Sequence, residues 1–325
     1  MRRSVPQIVS VAAAVIGIVL FLLTLYYIDL DETVQRASLL GFALPVVLLP
    51  GTIWHLLRTW GWAVAFPDSA RPAFTRLFRV RLAADAIGFF TVRGLAGEPL
   101  KVLLFYERVV PEITTAAIAL ERLAFAVMGT TIAGVISLIA IQRLTMPGGW
   151  ELIFALVAMA AVGMLATLTL AIRRRSEYYL ERLVNVLDRI THRRLERHRV
   201  VRFVLDVEHV LLDLLRGDRR RLVILTVLPI VCYLLMASEV WLVFWAINQP
   251  ISITESLTVE TFARLASIPS AVVPGNIGTL EASNVAVVNA LGLAGGGSLA
   301  LARRIRALLW AALGLALYPR VKATD

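Results

Sequence analysis

Residues 93–99 of this chain read Arg-Gly-Leu-Ala-Gly-Glu-Pro, and residues 269–278 read Pro-Ser-Ala-Val-Val-Pro-Gly-Asn-Ile-Gly. These two breaks in apolar sequence decide the fold. Proline removes a backbone donor and glycine tolerates non-helical dihedral angles, so a helix breaks at each place. The apolar sequence on either side of each break is too short to cross a bilayer alone. We therefore predict two broken-helix hairpins, with two simple surface loops as the alternative.

The composition of the chain predicts a membrane protein. Of 325 residues, 58% are hydrophobic and 17% are charged, and the mean hydropathy is +0.77. A water-soluble surface of this size needs more polar residues. Six further apolar runs are long enough to cross about 30 Å of hydrocarbon as helices of roughly 20 residues. They lie at residues 8–28, 39–66, 115–141, 150–172, 222–247 and 298–318.

Positive charge is concentrated in one segment. Of the 33 lysines and arginines, 14 fall between Arg173 and Arg221, together with eight acidic residues. A basic block between long apolar runs is typical of a cytoplasmic loop beside anionic lipid, so nucleic acid is not predicted as a partner. Apolar residues recur there at helical spacing. They predict either two interfacial amphipathic helices or a solvated helical hairpin under the bundle.

The charges that flank the spans predict the orientation of the chain. Basic residues precede the first span at residues 1–3 and follow the last at residues 320–322, so both termini are expected in the cytoplasm. This orientation is consistent only if residues 73–106 and 256–296 each leave the membrane on the side where they entered. Both segments are therefore predicted to be re-entrant. The first span lacks a small-residue cleavage pattern and is predicted to be an uncleaved helix.

The two interrupted segments resemble each other. Arg81-Leu82-Ala83-Ala84 aligns with Arg264-Leu265-Ala266-Ser267, and Glu98 and Glu281 each follow 17 residues after the arginine. The two hairpins enter from opposite sides, which is the inverted-topology arrangement in which broken helices form a substrate site near the bilayer midplane. The predicted single membrane domain comprises a first helix (1–38), repeat 1 (39–141), a linking helix (142–172), a cytoplasmic amphipathic segment (173–221) and repeat 2 (222–318).

Ionisable side chains at membrane depth are candidate substrate-binding residues, because each costs about a few kcal/mol on insertion scales. The charged candidates are Arg81, Asp85, Arg93, Glu98, Lys101, Glu121, Arg122, Glu239, Arg264 and Glu281, and Asn276 and Asn284 add uncharged donors and acceptors. Their mixed signs predict mutual pairing. Glu98 either caps a half-helix or meets a ligand, and Lys101 one turn later faces an anionic ligand. For Glu121 and Arg122, a structural salt bridge or snorkelling is favoured over ligand contact.

Signatures of cofactor-dependent enzymes are missing from the sequence. The single cysteine, Cys232, excludes an intrachain disulfide, and no metal-ligand spacing occurs. The sequence contains no Walker lysine motif, no Gly-x-Ser-x-Gly elbow and no dinucleotide fingerprint. We predict no cofactor, and a driving force must come from a gradient, a partner or nothing at all.

Three motifs resemble a known family. Gly97-Glu98-Pro99-Leu100-Lys101, Glu121-Arg122 and the run from Pro274 to Ala282 are similar to the flippase-like transmembrane family of lysylphosphatidylglycerol synthases. The resemblance covers nearly the whole chain. It implies a multi-pass protein of the bacterial inner membrane that moves a lipid from the inner to the outer leaflet. Aminoacylated phosphatidylglycerols are the best known substrates of the family, and hopanoid, glycolipid and polyprenyl-lipid pathways are linked to members without a synthase domain.

The chain departs from the full-length synthases in one respect. Those proteins carry a soluble aminoacyl-transferase domain after the membrane part, whereas this chain stops at Asp325, so we expect no synthesis of aminoacyl lipid. Much of the family is expected to have a smaller or apolar residue at position 276. Because this chain has Asn276, a lipid with a more polar headgroup stays a candidate substrate.

We predict a lipid flippase rather than an enzyme, with membrane lipids, preferably with anionic headgroups, as partners and a lipid synthase as a further candidate partner. Arg81, Arg93, Lys101 and Arg264 are expected to neutralise a phosphate. Glu98, Glu239 and Glu281 are expected to bind a cationic group or exchange protons. Two alternatives stay open: an intramembrane lipid-modifying enzyme that uses carboxylates as acid and base, and a scaffold that docks a synthase on the basic segment.

Overall fold

The computed structural model describes residues 40–91, 96–106, 108–144, 149–173, 179–191, 198–266 and 279–319, together with Val15 and Val19. Within these ranges the chain forms α-helices, two short 3-10 helices (Gly41–Ala43 and Asp68–Ala70) and no strand. The α-helices are α1 (Leu44–Ala65), α2 (Phe74–Phe90), α3 (Gly97–Phe105), α4 (Pro111–Arg143), α5 (Trp150–Arg173), α6 (Tyr179–Thr191), α7 (Arg199–Gly217), α8 (Arg219–Ala246), α9 (Ile253–Ala266), α10 (Thr279–Ala290) and α11 (Gly296–Ala316). Residues 93–95 of the first break, the whole second break at 269–278 and the predicted span at 8–28, apart from the two valines, lie outside the described residues.

Four helical segments in the described ranges are long and apolar enough to cross a membrane. They are Gly41–Ala65, Pro111–Arg143, Trp150–Thr167 and Arg219–Ala246. Each coincides with a predicted span. The last predicted span, 298–318, is the helix α11, but it carries Arg303, Arg304 and Arg306 and is not one of the four. The described chain is therefore an all-α, multi-pass membrane protein.

Local sequence explains where several of these helices begin. Pro111 occupies the first turn of α4, where its missing N–H is not needed. Asp218 precedes α8, and its side chain accepts a hydrogen bond from the backbone N–H of Arg220 at 2.8 Å. α3 begins at Gly97, directly before Glu98 and Pro99, as the predicted half-helix requires. Proline at the start of a helix thus orients two segments of the chain.

Glycines permit close approach of the helices across the first predicted break and of the two helices that follow the second. α2 packs on α3, and a Cβ added at Gly97 would lie 2.8 Å from the carbonyl oxygen of Ala84. α9 packs on α10, and α11 then packs back on α10, where a Cβ added at Gly296 would lie 2.7 Å from the Cα of Val285. Such small residues are the usual means by which membrane helices bring their backbones together.

The two halves of the chain interlock. α1 packs along α8, α11 packs on α2, and α4 packs on α9. The last helix of each half therefore covers the first hairpin helix of the other half. At one crossing, a Cβ added at Gly314 of α11 would collide with the carbonyl group of Leu82 on α2. Two large apolar cores result, one around Trp62, Phe66 and Phe105 and one around Phe244 and other aromatic side chains.

Part of the basic segment (residues 173–221) packs against this bundle. α7 packs on α4, and its residues Val207, Leu211 and Leu214 join the core around Trp62. α6 is held to α7 by the backbone N–H of Glu181, which donates to Glu208 at 3.2 Å. Of the two arrangements left open for this segment, the packing of α7 favours the hairpin under the bundle.

Candidate functional site

Seven charged side chains on α1 to α4 form a connected group, which we call the first ionic cluster. Its members are Arg58, Arg81, Asp85, Glu98, Lys101, Glu121 and Arg122. Four of them carry positive and three carry negative charge, so the group has a formal charge of +1. Six of the seven are candidate residues from the sequence, apart from Arg58. These six candidates take part in the mutual pairing that their mixed signs predicted.

The centre of the first ionic cluster is a buried carboxylate held by two arginines. The Nε of Arg58 donates to Oε1 of Glu121 at 2.7 Å, and Nη1 of Arg81 lies 3.4 Å from the same oxygen. Nη1 of Arg81 also donates to the carbonyl oxygen of Arg58 at 2.8 Å. Arg81 and Glu121 are 2% and 3% exposed. Removing either partner would leave the other charge buried without its counter-ion, so these ion pairs contribute to the stability of the fold.

The outer part of the first ionic cluster is organised around a lysine. Nζ of Lys101 lies 3.3 Å from Oδ1 of Asp85 and 3.2 Å from Oε1 of Glu98. Glu98 is also paired with Arg122 of α4, and Asp85 lies 3.4 Å from Nε of Arg81. The i,i+4 spacing of Arg81 and Asp85 and the i,i+3 spacing of Glu98 and Lys101 put these partners on one helix face. The lysine therefore joins the two helices of the hairpin.

The first ionic cluster opens to the outside at one edge. The side chains of Asp85, Glu98 and Arg122 are 31%, 22% and 52% exposed, whereas Lys101 behind them is 4% exposed. Aromatic rings line the inner part, where the guanidinium of Arg58 lies 3.8 Å from the ring centroid of Phe125. Such rings favour a cation that has lost its water. Exposure therefore decreases from an edge that holds two carboxylates and Arg122 to an interior that holds three of the four cations.

A smaller group, the second ionic cluster, lies in the second half. Glu260 of α9 is paired with both Arg264 and Arg303, and Nη1 of Arg303 donates to Oδ1 of Asn284 at 2.8 Å. Its formal charge is also +1, from two arginines and one glutamate. Glu260, Asn284 and Arg303 are buried. The side chain of Arg264 is 42% exposed, so this cluster too has one arginine at its edge.

An aromatic residue holds the edge of the second ionic cluster. The guanidinium carbon of Arg264 lies 4.9 Å from the ring centroid of Tyr233 on α8. The hydroxyl of Tyr233 is hydrogen-bonded to that of Thr261, which itself donates to the carbonyl oxygen of Leu257 at 2.7 Å. The hydroxyl end of the ring is thereby held to α9, and the arginine lies over the face of the ring.

Glu239 lies apart from both clusters and is paired with Arg306 of α11. The side chain of Glu239 is 1% exposed. Nη1 of Arg306 also donates to the sulfur of Met236 at 3.4 Å. Gly51 of α1 makes room for this arginine, because a Cβ there would collide with its side chain. The predicted role of Glu239 alongside Glu98 and Glu281, binding a cationic group or exchanging protons, stays a prediction.

Three of the predicted site residues cannot be assigned contacts. Arg93 and Asn276 lie outside the described residues. Glu281 belongs to α10, but the placement of its side chain lies outside the described part as well. The predicted meeting of Glu98 with Glu281 therefore stays a prediction.

Four charged residues of the site were not predicted: Arg58, Glu260, Arg303 and Arg306. All four lie inside helices of the described chain, and the three arginines occur in apolar runs taken as spans. The same cost of burying charge that selected the other candidates applied to them. The repeat gives no further signal for these four residues, because its offset of 183 positions relates Arg81 to Arg264 and Lys101 to Asn284, which are predicted candidates already.

The side chains of the two clusters suit an anion better than a metal ion. No group of three histidine, cysteine or carboxylate side chains that could hold a metal ion occurs in the described part of the chain. Guanidinium groups instead offer a planar fork of donors that matches a phosphate. Asp85 and Glu98 beside them offer acceptors for an ammonium group.

Fold and site together define a multi-pass α-helical membrane protein with ionic clusters buried in its helical bundle. The chain matches the family described as lysylphosphatidylglycerol synthase TM region over residues 8–316. It belongs to this family, which confirms the resemblance found in the sequence and implies a role connected with membrane lipids. No match was found among curated proteins or among solved structures.

Proposed function

We propose that this protein moves a lipid headgroup between the two leaflets of the bacterial inner membrane. The observation that carries the proposal is the first ionic cluster, in which buried cations lie behind an exposed edge of two carboxylates and one arginine. Charges at membrane depth are costly and persist where they serve a substrate or ion path. Membership in a lipid-related family supports the same function.

The charges of the two clusters favour an anionic phosphate. Each cluster has a formal charge of +1, so one phosphate charge would neutralise it. Each also presents one exposed arginine, Arg122 or Arg264, that a phosphate can reach. A phosphate bound to a guanidinium forms charge-assisted hydrogen bonds, roughly twice as strong as neutral ones.

The exposed carboxylates add a second recognition element. When a phosphate draws Arg122 away from Glu98, that carboxylate loses one of its two cationic partners and can accept from a cationic group on the same lipid, with Asp85 at the same edge of the cluster. A lysyl or other amino group attached to a phospholipid has this combination of charges. The acyl chains stay in the bilayer while the headgroup crosses, so most of the desolvation cost is avoided.

The packing of the helices supports the topology on which transport depends. We propose six membrane-spanning helices, two re-entrant hairpins and both termini in the cytoplasm. The reciprocal contacts of α11 with α2 and of α4 with α9 are those expected of two inverted repeats. Rocking of one repeat against the other exposes the first and second ionic clusters in turn.

Reconstitution into liposomes tests the proposal. Purified protein is incorporated with trace headgroup-labelled phosphatidylglycerol or lysylphosphatidylglycerol, and transfer between leaflets and lipid mass are both measured. We expect Glu98→Gln to slow transfer roughly tenfold or more, because a hydrogen bond to a charged group contributes about 1.5–3 kcal/mol. Glu151→Gln is the matched control, since Glu151 is an exposed glutamate at the start of α5.

Each alternative function has its own outcome in this experiment. A lipid of changed mass identifies an intramembrane enzyme, and the absence of transfer with every lipid tried favours a scaffold for a synthase. Equal rates for Glu98→Gln and Glu151→Gln contradict the role given to the first ionic cluster even if transfer occurs.

A further inference from the structure

An open groove of about 480 Å³ lies between α1 and α11, away from the exposed edge of the first ionic cluster. Its volume falls within the about 300–1,000 Å³ of sites that hold small ligands. Leu309 and Leu313 line it and are exposed, so the groove opens to the surroundings of the helices. For apolar residues on a membrane protein, those surroundings are the bilayer.

The walls of the groove are apolar along most of their length. Leu309, Trp310 and Leu313 of α11 recur at the spacing of one helix face, and Leu48 lies opposite on α1. The hydroxyl of Thr52, the polar group on that side, donates to the carbonyl oxygen of Leu48 at 3.3 Å. The floor therefore offers a long hydrocarbon surface with its hydroxyl already satisfied.

Trp310 gives the groove a firm wall. Its ring centroid lies 4.2 Å from that of His55 on α1 and 6.3 Å from that of Phe78 on α2. These two contacts come from different helices and fix the ring on both sides. A preformed surface of this kind binds a flexible chain at a lower entropic cost.

Arg306 closes one end of the groove. Its side chain is 22% exposed, lines the groove and reaches back to the buried Glu239. Within the described residues, its polar contacts to Glu239 and Met236 both use Nη1. A guanidinium has five N–H donors, so Nη2 and Nε remain to donate. The groove thus has an apolar length and a cationic end.

We propose that the groove binds one membrane phospholipid laterally, with an acyl chain along α11 and its phosphate accepting hydrogen bonds from Arg306. From Arg306 to Leu313 and beyond to Ala316, the lining face of α11 covers about 15 Å at about 1.5 Å per residue. The site rests on the proposed function only in taking a lipid as the ligand. It adds a docking position on the bilayer side, separate from the two clusters.

The charge around Arg306 favours an anionic over a zwitterionic headgroup. Glu239 neutralises Arg306 formally, but its side chain is 1% exposed and does not line the groove, whereas that of Arg306 is 22% exposed and does. A phosphate without a neighbouring ammonium gains the full attraction of that guanidinium. A choline headgroup brings its own cation and loses part of the gain.

Photo-crosslinking in liposomes tests the site directly. The probe is phosphatidylglycerol with a diazirine in one acyl chain, and the labelled residues are located by mass spectrometry. We expect labelling concentrated on residues 309–316 and on α1, and a several-fold loss in Leu313→Trp, which fills the groove but leaves Arg306 and Glu239 intact. Leu156→Trp, at an exposed leucine of α5, is the matched control and should label the groove as the wild type does.

A second probe tests the headgroup. Phosphatidylcholine with the same acyl diazirine should label the groove less than phosphatidylglycerol does, and Arg306→Lys, which keeps the charge but not the planar fork, should reduce the difference. Labelling of all exposed helix faces in proportion to their exposure, or equal labelling by the two lipids, overturns the proposal.

This test is independent of transport. If the groove is labelled but no lipid moves between the leaflets, the site is supported and the proposed function is contradicted. Leaflet transfer without groove labelling overturns the site and leaves the proposed function standing.

Discussion

The two ionic clusters occupy related positions in the two halves of the chain, yet they differ in content. In the first cluster, Lys101 of α3 pairs with Asp85 of α2 and with Glu98, which in turn pairs with Arg122 of α4. The corresponding position in the second half, 183 residues later, is Asn284. The first cluster has three carboxylates for its four cations, two of them at its partly exposed edge, whereas the second has a single glutamate shared by two arginines. Under the proposed function, we expect the two halves to divide the roles, with headgroup selection in the first half and phosphate retention in the second.

The largest expected difference between the halves is in stability. Arg81→Met removes a buried cation that contacts Asp85, Glu121 and a carbonyl oxygen, and breaking a buried pair costs about 3–5 kcal/mol. Arg264→Met removes an arginine that is 42% exposed, for which about 0–1 kcal/mol is expected. Thermal unfolding in detergent measures both. Equal shifts in Tm would show that the two arginines are equally structural.

The next largest effect concerns the glycine contacts. Gly97→Ala and Gly296→Ala both introduce a Cβ closer than 3 Å to backbone atoms, and overpacking costs about 1–3 kcal/mol. We expect similar losses of stability but a loss of leaflet transfer only for Gly97→Ala, because α3 carries Glu98 and Lys101. Gly129→Ala is the control, since nothing lies within 4 Å of a Cβ there. Equal loss of transfer in both variants would remove the distinction between the halves.

The smallest effect is expected at the aromatic support of the second cluster. Tyr233→Phe keeps the ring beneath Arg264 but removes the hydroxyl that is bonded to Thr261, so a loss of about 1 kcal/mol is expected. Transfer should be nearly unchanged, because the position of the arginine depends on the ring. Stability and transfer are measured on the same preparation. A large loss of transfer would mean that the hydroxyl itself contacts the substrate.

The sequence predicted those parts of the fold and site that depend on local spacing. Apolar run length predicted four spans, and the position of Pro99 predicted the start of α3 at Gly97. The pairs Arg81–Asp85 and Glu98–Lys101 follow from helical periodicity. All of these features involve residues within one turn or one run of each other.

Contacts between distant helices could not be predicted in this way. Glu121 pairs with Arg58, 63 positions earlier, and Glu260 pairs with Arg303, 43 positions later. Composition does not say which helices are neighbours, so Arg306, the partner of Glu239, was missed. The polar path is set by helix packing, which the pattern of a single segment does not contain.

The crossing of α11 over α2 has a consequence for biosynthesis. The surface of α2 around Leu82 is covered by Gly314, and Nε of Arg79 donates to the carbonyl oxygen of Leu317 at 3.2 Å, 238 positions later. A nascent chain releases α2 from the ribosome long before α11 exists. Contacts of such high sequence separation form slowly, and surfaces left open in the meantime invite misassembly. The hairpin of α2 and α3 therefore stays incompletely packed until α11 has been synthesised. Packing of the final twenty or so residues of the bundle is then the step that completes assembly.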